Sequence, residues 1–149
     1  MCIRDRLWEI TEADWQSAFI DLATTHMAVL RACLPRMSAR GAYSLVVGAS
    51  AATPIPGSGL VSMEQAALLM MQRVLLAELD GRQRVFALVL GPVRTRSMTS
   101  GDPDWVSADQ VGTVAVAASA AASVTGREIW MASQAEVDAA LALFPAVTS

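Results

Sequence analysis

Ser50 ends the apolar run Tyr43-Ser44-Leu45-Val46-Val47-Gly48-Ala49, where a strand gives way to a loop. A hydroxyl so placed can attack an acyl carbon or hydrogen-bond a substrate oxygen. Nucleophilic use would need a G-x-S-x-G elbow and a histidine partner, and neither accompanies it. Ser50 is therefore expected to bond nearby backbone. The one histidine, His26, falls inside a helical pattern. It could serve as a general acid, but the expectation is a partly buried packing residue. Glu64 could titrate, and is expected to be solvated or steadied by the start of its helix. Beyond a second apolar run, Arg94 and Arg96 could meet a phosphate, although a solvated loop pair is the expectation. Cys2 and Cys33 have no metal-ligand spacing, so no metal site is expected and both read as free thiols of a reducing, cytoplasmic compartment.

Composition limits the possibilities further. The chain has 149 residues, a length that suits one domain with a real core. Hydrophobic residues make up 54% and the mean hydropathy is +0.42. This is rich for a domain of that size and points to extra apolar surface that packs on something else. The longest uncharged stretch, 41–63, contains Pro54, Pro56 and several Gly and Ser residues, a poor membrane-spanning helix. A net charge of −3 argues against nucleic acid. All eleven basic residues are arginine, so no lysine is available to tune another group. Acidic Asp5, Glu9, Glu12 and Asp14 crowd the start, unlike a signal peptide, and residues 1–6 read as an atypical, appended leader.

The elements that must position these groups follow from periodicity. Thr11 to about Met37 is helical, with Trp15, Phe19, Leu22, His26, Leu30 and Cys33 at helical spacing. The run at 43–49 does not alternate, as befits a parallel strand covered on both faces. Leu60 to Leu79 reads as a second helix, apolar nearly all round and so buried on more than one face. Arg84 to Leu90 is a second strand, ended by Gly91-Pro92. Val93 to Trp105 reads as a long loop. Ser107 with Gln110 caps a third helix, about 108–122. Glu128 to Met131 is a short strand near an edge, and 134–144, in a carboxyl-terminal tail spanning 133–149, a final helix. Helix and strand alternate, which predicts an α/β parallel sheet with right-handed crossovers. Ligands of such sheets sit beyond the carboxyl ends of the strands, which puts Ser50 and Gly91 beside the expected cleft.

Five segments in unbroken order carry a family resemblance. "EITEADW" with the helix ending "LPRM", "GAYSLVVGASAAT", "GSGLVSMEQAALLMMQRVLLAEL", "RVFALVLGPVRT" and "SADQVGTVAVAASAAASVTGREIWM" resemble the carboxyl-terminal half of a short-chain dehydrogenase/reductase. The resemblance covers about Leu7 to Met131. It implies a Rossmann-like parallel sheet over 7–132, without the amino-terminal half that cradles a dinucleotide on T-G-x-x-x-G-x-G.

The resemblance also assigns site positions. Such enzymes use a tyrosine to move a proton, a lysine four residues later to lower its pKa, a serine to bond the substrate oxygen and an asparagine in the preceding helix. Here Ser50 matches the serine, while Val61, Gln65 and Leu22 occupy the tyrosine, lysine and asparagine positions. The only tyrosine, Tyr43, begins the strand and lies roughly 20 Å from Ser50 at about 3.3 Å per residue. Gly91, Val93 and Thr95 match the turn that faces the nicotinamide, with Leu90 where proline is usual. The resemblance thus implies an NAD- or NADP-linked oxidoreductase, cut short and catalytically impaired. The alternative is a non-catalytic module that dimerises, with itself or another subunit, through helices 11–37 and 60–79. A cofactor-free hydrolase built on Ser50 is the remaining reading.

Overall fold

In the computed structural model, residues 6–98 and 101–144 are described. The leader 1–6, apart from Arg6, and Cys2 with it, lie outside the described residues. After a 3-10 turn, Leu7–Glu9, comes α1 (Glu12–Trp15), capped by Thr11 and Asp14, which bond each other's backbone amides reciprocally. A π-helical turn, Gln16–Ile20, joins it to α2 (Asp21–Cys33), and a 3-10 turn, Leu34–Arg36, ends the run. The helix expected over 11–37 is therefore interrupted. The Asp21 amide reaches back five residues to the Gln16 carbonyl. That extra residue turns later side chains off the inner face. Leu22 is 41% exposed as a result, whereas Ala18 and Leu30 are buried.

The sheet has three strands, β1 (Ala42–Gly48), β2 (Arg84–Leu90) and β5 (Glu128–Met131), in the order β1-β2-β5 and all parallel. Central β2 is buried along its length, which accounts for the absence of alternation in its sequence. Between β1 and β2 runs α3 (Gly59–Leu79), which ends at Asp80 in a left-handed cap. It is long and apolar enough to cross a membrane by length and composition. Here it lies along the sheet, with Leu68 and Leu69 packed on Leu45, Val47, Ala87 and Val89.

The other face of β2 belongs to α4 (Ala108–Ala120) and α5 (Gln134–Ala142). Phe86, Leu88, Ile129 and Met131 meet Val114, Ala118, Val137 and Ala140 there. Phe144 is buried edge-on against Phe86, so the chain after β5 is built into this core. The steps β1 to β2 and β2 to β5 run the same way across the sheet, yet α3 and α4 cover opposite faces. The two crossovers therefore have opposite hands. The expectation that both are right-handed is corrected: one departs from the rule that a right-twisted strand favours.

Within the span 93–105 expected as an open loop, β3 (Val93–Arg94) pairs in parallel with β4 (Val106–Ser107). This clasp closes the base of the segment and delivers Ser107 to the start of α4. There Ser107 and Gln110 form the reciprocal cap foreseen from their spacing.

Candidate functional site

The carboxyl ends of β1 and β2 bring the serine turn and the Gly91 turn to the same end of the sheet. Ser50 lies in a 3-10 turn, Ala49–Ala51, half-buried. Its hydroxyl forms no hydrogen bond to a described residue, contrary to the expectation that it bonds nearby backbone. What holds this end of β1 is Gln65. Its side-chain oxygen accepts the Gly48 amide, and its side-chain NH2 donates to Glu64. A Cβ placed on Gly48 would lie 3.5 Å from both Gln65 Oε1 and Ser50 Oγ. Gly48, Ser50 and Gln65 thus form one cluster, and Val61 stands one helical turn before Gln65, half-buried. Leu22 points outward and does not join it.

Glu64 overturns its sequence reading. It is 1% exposed, not solvated. Burial pushes its carboxyl above the usual range, and nearby His26 and the Gln65 hydrogen bond pull it back. His26 Nδ1 stands 3.6 Å from Glu64 Oε1 and hydrogen-bonds the Leu22 carbonyl at 2.9 Å. The sequence held a signal for this. Glu64 falls at helical spacing between Leu60 and Leu68, in the buried stripe that continues through Gln72 and Leu75. Tyr43 lies at the far end of β1, where burial first and Cys33 second push its phenol up.

Beyond β2, Gly91 is fixed by packing. A Cβ there would come within 2.8 Å of Ala132, and its amide donates to the Met131 carbonyl. Val93 pairs with Val106 in the clasp, and the Thr95 hydroxyl bonds Ser97 at 3.0 Å. A cavity of about 480 Å³ opens beside them, lined by Arg94, Thr95, Arg96, Ser97, Ser107, Ala108 and Asp109. Arg94 is not the solvated residue its loop position suggested. It is half-buried and donates from Nε to the Trp105 carbonyl. Among the described residues no carboxylate pairs with either arginine, and no group of three or more His, Cys, Asp or Glu could hold a metal ion.

Two guanidinium groups and three hydroxyls around the cavity suit phosphate oxygens, and the Asp109 carboxylate among them opposes an anion. The positions that the resemblance gives to proton transfer do not suit that chemistry. Val61 carries no proton to transfer, and the Gln65 amide is already spent between Gly48 and Glu64. No proton-coupled hydride step can be derived from these residues.

No protein-family model and no curated protein matches the sequence. Solved structures do. A short-chain dehydrogenase/reductase family protein superposes with a TM-score of 0.76 at 19% identity, over 88% of this chain and 61% of its own. A short-chain dehydrogenase from Burkholderia cenocepacia, solved in complex with NADP, gives 0.64 at 25% identity over 91% and 57%. An alcohol dehydrogenase from Thermococcus sibiricus, complexed with 5-hydroxy-NADP, gives 0.68 at 21% over 90% and 60%. This chain thus spans about three fifths of the length of these structures, and over that span its fold is that of the short-chain dehydrogenase/reductases.

Proposed function

We propose that this chain is a catalytically impaired, NAD- or NADP-linked unit of the short-chain dehydrogenase/reductase type, acting in the cytoplasm. The observation that carries the reading is Gln65. On a fold shared with nicotinamide-dependent enzymes, the position expected to hold a cation holds a neutral amide, and that amide is engaged in structure. Val61 completes the loss, since an isopropyl group cannot donate to a carbonyl. Support for retained cofactor affinity comes from the turn bearing Gly91, Val93 and Thr95 and from the arginine-lined cavity beside it.

The test is a fluorescence titration with NADPH and NADH, paired with a turnover assay on alcohols and ketones. The expected result is weak, salt-sensitive binding that Arg94→Gln diminishes, without turnover. Turnover by the purified chain would overturn the impairment. Binding indifferent to salt and to Arg94→Gln would overturn the cofactor assignment.

A second reading, a non-catalytic dimerisation module, draws on a separate observation. Leu22, Met27 and Val29 on α2 and Met63, Met70 and Val74 on α3 are each more than 40% exposed. Two helices with such outward faces suit a four-helix bundle between two copies or with a related subunit. Sedimentation of the wild type against the Met70→Asp, Val74→Asp double variant tests it. A wild-type monomer at micromolar concentration would refute self-association.

A further inference from the structure

Glu64 is the one buried carboxylate among the described residues. Oε2 accepts from Gln65 Nε2, and Gln65 Oε1 accepts from the Gly48 amide. Oε1 meets no hydrogen-bond donor although it is cut off from solvent. The nearest basic atom is His26 Nδ1, 3.6 Å away, on a side chain that is still 30% exposed. A row of polar groups therefore runs from solvent at α2, through a buried acid in α3, to a backbone amide at the end of β1. Ser50 lies two residues beyond that amide.

An ionised carboxylate out of water is costly without a counter-ion, and a half-satisfied buried polar group is costly too. We propose that His26, Glu64 and Gln65 form a protonation-controlled latch: the Leu22 carbonyl holds the His26 Nδ1–H, the other ring nitrogen gains or loses the proton, and the resulting charge beside Glu64 fixes Gln65 on Gly48 and so sets the serine turn. The latch goes beyond the cofactor reading and holds whether or not the chain binds a dinucleotide.

With the proton on the imidazole, the carboxylate has its counter-ion. Gln65 Nε2 then donates to a charged acceptor, a strong bond that orients the amide with its oxygen toward Gly48. When the imidazole loses its Nε2 proton to water, Glu64 is left charged, buried and short of one donor. Relief comes from water entering between α2 and α3, which weakens the Gln65 link and releases Gly48.

Among the described residues, His26 is the one charged partner of Glu64. The turns at 16–20 and 49–51, both packed on α3, carry no ionisable side chain. β1 offers only Tyr43 and β2 only Arg84, both at the opposite end of the sheet. On α2, Asp21 and Arg31 are exposed, and Asp21 is bonded to Gln16.

The experiment is an NMR titration of the labelled full chain from about pH 5 to about pH 8, the range in which imidazoles change charge. With a single histidine in the sequence, the ring signal is unambiguous. In the wild type the Gly48 and Ser50 amides should shift with the same midpoint as the His26 ring. In Glu64→Gln, neutral and of the same shape, the Gly48 shift should be lost. Should that variant fail to fold, His26→Asn on the partly exposed partner carries the same expectation of a lost Gly48 shift. A Gly48 amide that stays flat in the wild type overturns the latch, as does one that moves unchanged in a folded variant.

Discussion

Arg84 supplies the sharpest test of how the sheet is joined to α4. It opens β2 and is 7% exposed. Its Nε donates to the Arg40 carbonyl at 3.0 Å, Nη1 to the Ala118 and Ala121 carbonyls at 3.0 and 2.8 Å, and Nη2 to the Ser119 carbonyl at 2.9 Å. The last carbonyls of a helix have no partner within it, and a cation there also faces the negative end of the helix dipole. One guanidinium thus answers the end of α4 and reaches the chain before β1. Arg84→Met keeps the unbranched stem and removes all four bonds. A hydrogen bond from a charged donor is worth about 1.5–3 kcal/mol net. The four share one group and do not add, so the expected loss is that of about two such bonds, about 3–5 kcal/mol. At about 2–4 °C per kcal/mol for a chain of this size, Tm should fall by about 6–20 °C. Arg84→Lys keeps the charge but not the planar fork and should fall between. Urea and thermal melts followed by far-UV circular dichroism read the effect. A loss under about 1 kcal/mol for Arg84→Met would refute the reasoning, because surface substitutions alone account for that much.

Other expectations concern packing and charge. Gly126→Ala would drive a methyl into the Val85 backbone, and should cost about 1–3 kcal/mol or more in a urea melt. For Glu64, burial raises the carboxyl, so the folded chain holds that proton more tightly than the unfolded chain. The stability this brings is present below the unfolded carboxylate range and is lost as pH rises through the raised folded value. Glu64→Gln should therefore gain on the wild type toward alkaline pH and match it in acid, as urea midpoints across pH would record. Glu128 behaves oppositely. Its hydrogen bond from Arg73 at 2.7 Å holds its carboxyl below the usual range. The contribution is present above the unfolded value and lost as pH falls through the lowered one. Arg73→Ala should move the Glu128 carboxyl midpoint upward in a carbon-detected titration.

How much of this was legible depends on what signals each feature leaves. The non-alternating runs gave β1 and β2 to within about a residue, because strands covered on both faces leave no polar side to blur the ends. The cap at Ser107 was readable from the short polar spacing to Gln110, with which it bonds reciprocally. The π turn at 16–20 was not, since one additional residue per turn needs no glycine or proline to mark it. Its displacement of Leu22 was invisible for the same reason. The clasp between Val93–Arg94 and Val106–Ser107 is too short for periodicity to register. Opposite crossover hands cannot be read from one element at a time, because hand is a relation among three strands and two helices. At the site, residue types were readable at Ser50, Val61 and Gln65. What Gln65 holds, and the fact that Glu64 is buried beside it, required the packed helices.

Because β2 shows Ala87 and Val89 to one helix and Phe86 and Leu88 to two others, it works as a bulkhead between two oily compartments. Damage on one side need not flood the other. Leu88→Ala, worth about 2–5 kcal/mol, should speed amide exchange in α4 and α5 first, and leave the α3 flank to open only with the whole molecule.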